Sequence, residues 1–353
     1  MSRSGPRSGG ASPSRVSPSR VSPSGAFPGR VSPSGAFPGR ASPGRVSPSG
    51  AFPGRASTFR TPVTGFAVVP LGPLVLLLFL LPALACDATA GPQAVEIESG
   101  GLALQGRLFH TPAGGRRPIV LMVPGWPGNP EDVLGMGKWL SQLGVNVLVV
   151  FPRGMHGSQG TLTYEGAFED IGAALAWLRR PENQERFRLD PEGVFLGGYS
   201  WGGGLALSYA AWHPGVQRVI AIAATDQAEL IRGMEGDNAY ASQLSARLRR
   251  ARFPGGPIRF EPEEVLRELS EDRDVYGLRE NAGQLATRSI LLLGGVDDES
   301  VTLEDHLLPF YRALKSAGAE DVTIEIYQDD HDFQRVREEM AEDMAAWIRG
   351  HVE

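Results

Sequence analysis

A single cysteine, Cys86, stands in the whole chain, so no disulfide can form within it. Acidic residues are missing from the first 86 positions, where nine arginines supply all the charge. Long hydrophobic runs are missing too. The longest, Leu74 to Leu81, covers eight residues between Pro73 and Pro82, too few for a spanning helix. No Gly-x-Gly-x-x-Gly opens the first helix after a strand, which argues against a dinucleotide cofactor. The six histidines and one cysteine are scattered without metal-ligand spacing, so neither a metal nor any other cofactor is expected.

What the first 86 residues do contain is low in complexity. Residues 1–62 are rich in Ser, Pro, Gly and Arg, with Arg-Val-Ser-Pro-Ser-Gly-Ala-Phe-Pro-Gly beginning at Arg20, Arg30 and Arg45. With few apolar side chains to bury, this stretch is expected to be a disordered tail; a basic tether and a start assigned too far upstream remain open. Residues 63–86 read as a signal segment: an apolar stretch, then Ala83-Leu84-Ala85 and Cys86. The cysteine's place resembles that of the acylated residue of bacterial lipoproteins, with Ala83 where leucine is usual. Membrane attachment through acylated Cys86, cleavage after Ala85 with release, and an uncleaved anchor are the alternatives; each implies export.

Nine of the 34 Lys plus Arg residues precede Cys86, against none of the 40 Asp plus Glu. The remainder carries 25 against 40, a formal charge of −15. So acidic a domain is a poor partner for nucleic acid or anionic lipid. Residues 87–353 suit one α/β domain. After a hairpin at Val95–Ile97 and Leu102–Phe109, strands are expected at Ile119–Val123, Asn146–Phe151, Gly193–Gly198, Val216–Ala223, Ser289–Leu293 and Val322–Tyr327. Helices are expected at Glu131–Leu143, Ala167–Arg180, Gly202–Trp212, Leu303–Ala317 and Gln334–His351. Solidly apolar strands alternating with helices predict a doubly wound, mostly parallel sheet, with ligands at the strands' carboxyl ends. The charged, helix-leaning stretch 226–288 interrupts this rhythm and is expected to be a helical lid, with helices at Ala239–Arg252 and Pro262–Ser270.

Gly198-Tyr199-Ser200-Trp201-Gly202 follows an apolar strand and opens a helix, the pattern of a nucleophile elbow. Its glycines permit a turn too tight for side chains, and the Ser200 hydroxyl stands at the positive end of the helix. A serine hydroxyl needs a base. Of the histidines, His110, His156, His213, His306 and His351 occupy early loops, helices or the terminal tail. His331 directly follows the last strand, in Gln328-Asp-Asp-His-Asp-Phe333, where a loop can carry it over the serine. The imidazole needs an acid to orient it, and in the nucleophile-elbow fold that this pattern resembles the acid comes between serine and histidine in the chain. Asp297 and Asp298, in Gly294-Gly-Val-Asp-Asp-Glu-Ser-Val301, both qualify; Asp226 is the remaining candidate. Acyl transfer also needs donors for an oxyanion. The backbone N–H of Trp201 is one, and that of Trp126, in Pro124-Gly-Trp-Pro-Gly128, is the other.

These residues resemble the α/β-hydrolase superfamily, in particular its prolyl-oligopeptidase-like and dienelactone-hydrolase-like branches. The likeness covers about residues 95–353 and includes the loop Phe151-Pro-Arg-Gly-Met-His-Gly157, whose Arg153 is expected to be structural. In many relatives the acid stands in Gly-x-x-Asp-x-x-Val, and Gly295 and Val301 place Asp298 at that position. The resemblance implies a serine hydrolase acting on small-molecule esters or short peptides. It departs from the branches in two ways. The residues ahead of the sheet are too few for a substrate-filtering propeller, and the dienelactone nucleophile is typically cysteine. A hydrolase-like fold used only for binding or surface attachment is the rival reading; such descendants usually lose a triad residue.

Overall fold

Eight strands make one sheet: β1 (Gln93–Ser99), β2 (Leu102–Phe109), β3 (Arg117–Val123), β4 (Asn146–Phe151), β5 (Leu189–Tyr199), β6 (Arg218–Ile222), β7 (Ser289–Gly295) and β8 (Val322–Tyr327). The computed structural model describes residues 91–252 and 255–352; the expected tail, the signal segment and Cys86 lie outside the described residues. The strand order is β1-β2-β4-β3-β5-β6-β7-β8, with β1 and β2 antiparallel to their neighbours and β3 to β8 parallel. All six residues of β4 are buried, as are the last five of β3, which explains why these segments read as unbroken apolar runs.

Topology fixes where a ligand can sit. From β3 the chain crosses outward through α1 (Met136–Gln142) to β4, then returns through α2 (Tyr164–Arg179) and α3 (Pro181–Arg186) to β5, beyond β3. From β5 it moves the other way, through α4 (Trp201–Trp212) to β6. The loops leaving β3 and β5 therefore diverge, and a crevice opens between their carboxyl ends. Val123 pairs with Gly198, so both loops start at one level.

Four expected helices change at their starts: the one expected from Ala167 begins at Tyr164, the one expected from Gln334 begins at Arg337, and the other two differ for reasons the structure displays. Helix α1 was expected from Glu131 but begins at Met136. The Asp132 carboxylate accepts N–H bonds from Val133, Gly137 and Lys138 at 2.7–3.0 Å, and Leu134 and Gly135 have positive φ, so the chain turns before it coils. The helix expected at Leu303–Ala317 begins as a π turn, Leu303–Leu307, and continues as α10 below. Pro309 has no N–H to give Asp305, and the Leu308 N–H reaches back five residues to the Leu303 carbonyl.

The insertion between β6 and β7 carries five helices among the described residues: α5 (Gln227–Gly236), α6 (Asn238–Ala251), α7 (Pro262–Glu271), α8 (Arg273–Tyr276) and α9 (Ala282–Leu285). After it come α10 (Leu308–Ser316), β8 and α11 (Arg337–Gly350). Three attachments hold the insertion down. Asp226, fully buried, caps α5 and accepts from the Leu278 N–H, Arg232 Nη2 at 2.9 Å and Arg279 Nε at 3.0 Å. Its own N–H donates to His306 Nδ1 at 3.1 Å. Glu268 of α7 accepts the N–H groups of Tyr164 and Glu165, so its charge sits at the positive end of α2. Ile258 and Phe260 bridge to Met155 and Leu162. Helix α6, by contrast, has no buried residue.

Removing the carboxylate in Asp226→Ala leaves the Ala228 and Leu278 N–H donors without their acceptor and takes one of the carboxylates from Arg232 and Arg279, which keep Glu229 and, for Arg232, Glu280. Because those guanidinium side chains are 27% and 31% exposed, the expected loss stays below the full buried-pair value, at roughly 2–4 kcal/mol. Urea unfolding measures it, and a change under about 1 kcal/mol would show that Asp226 does not fasten the insertion.

Candidate active site

Ser200 sits between β5 and α4 with φ 55° and ψ −118°, the strained turn expected of an elbow. Gly198 permits the turn, since a Cβ there would strike the Gly202 carbonyl oxygen. A Cβ on Gly202 would strike the carbonyls of Val123 and Pro124, so the first turn of α4 abuts the end of β3 directly. The loop after β3 answers in kind: a Cβ on Gly125 would lie 2.8 Å from the Tyr199 ring and 3.3 Å from Ser200 Cβ. Trp201 is the first residue of α4, where a helix offers its N–H no acceptor, and the Trp126 N–H makes no backbone bond among the described residues. Their indoles meet edge to face at 5.8 Å.

The other two residues come from the loops after β7 and β8, which the sheet holds side by side because Gly295 pairs with Tyr327. His331 Nε2 lies 3.0 Å from Ser200 Oγ, and its Nδ1 lies 2.6 Å from Asp298 Oδ2. The Asp298 side chain is fully buried, and its Oδ1 accepts the N–H groups of Ser300 and Val301, both at 2.8 Å. Those donors stabilise the charged carboxylate and fix its direction. Nδ1 must carry a proton to bond Asp298, which leaves Nε2 free to accept the serine proton. Asp297 points elsewhere. Half exposed, it accepts from Gln328 Nε2 at 3.1 Å and from Arg335, while its backbone N–H bonds the Asp329 carbonyl. It ties the acid loop to the histidine loop. Asp226, the third candidate, belongs to the insertion's attachment.

Two supports stand outside the residues that spacing marks. The Tyr199 hydroxyl donates to the His331 carbonyl at 2.8 Å, fastening the histidine loop to the elbow. His156, in the sequence one of several loop histidines, is the second. Its Nε2 lies 2.8 Å from the Pro127 carbonyl, which can only accept, so Nε2 carries the proton. Burial pushes this imidazole below its ordinary value, while the Pro127 bond pulls the other way. The loop carrying His156 is pinned by Arg153, whose guanidinium and backbone N–H bond the buried Asp170 at 2.6–3.2 Å. Arg153 is thus structural. His156 occurs in the very Arg-Gly-Met-His-Gly run that carries the family resemblance, the one signal that could have marked it.

Ser200 and His331 open onto a cavity of about 570 Å³. Trp126, Tyr164, Tyr199 and Trp201 wall its base, and Leu230, Leu244, Leu248, Val265 and Leu269 of the insertion roof it. The stretch expected as a lid therefore does border the crevice. Among the described residues no group of three His, Cys, Asp or Glu is placed to hold a metal ion.

Residues 118–264 match the family model described as alpha/beta hydrolase fold. A polyketide transferase of a Penicillium species is 30% identical over 129 residues, 35% of this chain and only 41% of that protein. Uncharacterized protein YfhR of Salmonella typhi is 27% identical over 250 residues, 66% of this chain and 77% of its own length. Among solved structures, the alpha/beta hydrolase GrgF from Penicillium has TM-score 0.56 and 20% identity, covering 74% of this chain and 98% of its own. Est1E from Butyrivibrio proteoclasticus has TM-score 0.52 and 16% identity over 73% of this chain and 98% of its own. Identities this low speak for the fold alone.

Two substitutions separate the neighbouring acids. Asp298→Asn should slow fluorophosphonate labelling of Ser200 by roughly 1,000- to 10,000-fold, because the amide favours the wrong histidine tautomer. Asp297→Asn, which removes an exposed clamp, should slow it less than about fivefold. Equal effects would mean that Asp298 is not the orienting acid. His156→Ala should lower the labelling rate about tenfold by loosening the Trp126 loop, with His156→Gln recovering part of it. An unchanged rate in His156→Ala would show that the Pro127 bond positions nothing.

Proposed function

On the premise that this chain has the α/β-hydrolase fold, we propose that it is a serine hydrolase that cleaves carboxylic esters or short peptides through an acyl-enzyme on Ser200. The observation that carries this reading is the continuous chain from Ser200 Oγ to His331 Nε2 at 3.0 Å and from His331 Nδ1 to Asp298 at 2.6 Å. Ser200 gives its proton to His331 Nε2 as Oγ attacks the substrate carbonyl. Asp298 stabilises the imidazolium that results. The N–H groups of Trp126 and Trp201 receive the oxyanion as charge develops on it. His331 then passes its proton to the leaving oxygen or nitrogen, and a water activated by the same nitrogen releases the acid. A cavity of about 570 Å³ suits small substrates over folded proteins. A purely binding role is disfavoured because none of the three residues has been lost.

The test compares full-length wild type with Ser200→Ala on p-nitrophenyl acyl esters and aminoacyl p-nitroanilides. Wild type is expected to turn over at least one class, and the variant to lose that rate by about 1,000-fold or more. The better class separates esterase from peptidase. No turnover of any member, with Ser200 unlabelled by a fluorophosphonate, would sink the catalytic reading and bring binding forward.

A further inference from the structure

Helix α6 spans the roof of the cavity, yet it buries none of its own residues. Its Leu244, Leu248 and Ala251, spaced four and three residues apart, share one face, and all three line the cavity. Apolar surface turned into open space is stabilised only when an apolar group fills that space. Arg247 follows Leu244 by three residues and lines the same cavity. The neighbouring arginines are occupied: Arg249 faces Glu263, Arg250 bonds the Ala246 carbonyl, and Arg252 faces Glu261. Among the described residues Arg247 has no ion-pair or hydrogen-bond partner.

The other charges on the cavity wall do not neutralise it. The Asp132 carboxylate is taken up by three backbone N–H groups. Arg337 donates through Nε and Nη2 to the Asp332 carbonyl. Asp332 itself follows His331 directly and lines the cavity beside it. His331 must hand its proton to the leaving group, so that group lies beside His331, where Asp332 and Gln334 also line the cavity. The acyl group then takes the other side, beneath α6.

Resting on the serine-hydrolase reading above, we propose that the substrates are esters whose acyl chain is apolar for several carbons and ends in a carboxylate, with the leucines of α6 covering the chain and Arg247 binding the anion. The reaction balances simply. The ester C–O bond breaks as the Ser200 Oγ–acyl bond forms, and the alcohol leaves with the proton from His331. One water then splits the acyl-enzyme to give a dicarboxylic acid.

The test uses full-length wild type, Arg247→Gln, Arg247→Lys and Ser200→Ala with two esters of equal chain length, p-nitrophenyl hexanoate and mono-p-nitrophenyl adipate. Wild type is expected to favour the adipate ester about tenfold or more in kcat/KM, chiefly through KM. That ratio should fall to about one in Arg247→Gln and be largely kept in Arg247→Lys, since a charge-assisted bond needs the cation. A wild-type ratio of one or less overturns the proposal, and so does a preference that survives in Arg247→Gln. Hexanoate turnover that vanishes in Ser200→Ala tests the hydrolase reading separately. Should wild type cleave neither ester, calorimetry on Ser200→Ala decides the substrate class, with adipate mono-anilide and hexananilide as ligands. Binding about tenfold tighter for the charged ligand supports the proposal, and equal binding overturns it.

Discussion

Much of this molecule turns on how closely the first turn of α4 approaches the end of β3. Any side chain at position 202 would collide with the Val123 and Pro124 carbonyls, and the two elements would have to part. Because they do not part, the Ser200 hydroxyl, the Trp201 N–H and the loop bearing Trp126 converge on one small volume. The divergence of the chain after β3 and β5 leaves that volume open above the sheet. Sheet topology supplies the crevice, and missing side chains let the backbone line it.

The second half of the site depends on parallel pairing at the other edge of the sheet. Register places Gly295 beside Tyr327, so the loops that follow carry Asp298 and His331 into contact. Half-exposed Asp297 and buried Asp329 maintain the alignment by sharing the exposed Arg335. Phe333, fully buried and with positive φ, anchors the loop from inside. The Tyr199 hydroxyl then fastens that loop to the elbow, joining the two halves of the site through one hydrogen bond. Ser200, His331 and Asp298 are thus held by backbone geometry and buried bonds, the preorganisation that the proposed chemistry needs.

The parts of this arrangement that were legible in the sequence share one property: each is encoded locally. Buried strands appear as apolar runs, the elbow as a pentapeptide, and His331 as the histidine just past the last strand. The less legible parts depend on partners distant in the chain. His156 bonds a carbonyl 29 residues earlier, and Asp226 gathers Leu278 and Arg279 from 52 and 53 residues later. Neither spacing nor periodicity carries such pairings. The late start of α1 was hidden for a related reason, since the side chain of Asp132 competes for the amides that would begin the helix. The π turn before α10 is different: Pro309 was in plain view, and its missing donor already implied a fault in the first turn.

The insertion divides the same way between what is fixed and what is free. Asp226, Glu268 and the bridges at Ile258 and Phe260 fasten its two limbs, and Phe260 packs against Trp126 at 4.5 Å. Helix α6 lies between these limbs with its leucines toward the cavity and no buried residue of its own. Its stability must come from its neighbours in α5 and α7 and from whatever fills the cavity below. A roof built this way sits over a rigid catalytic floor yet has little packing to resist adjustment. The fixed base supplies the geometry that bond cleavage requires, while the loosely held helix presents the apolar and charged surface on which a substrate would be chosen.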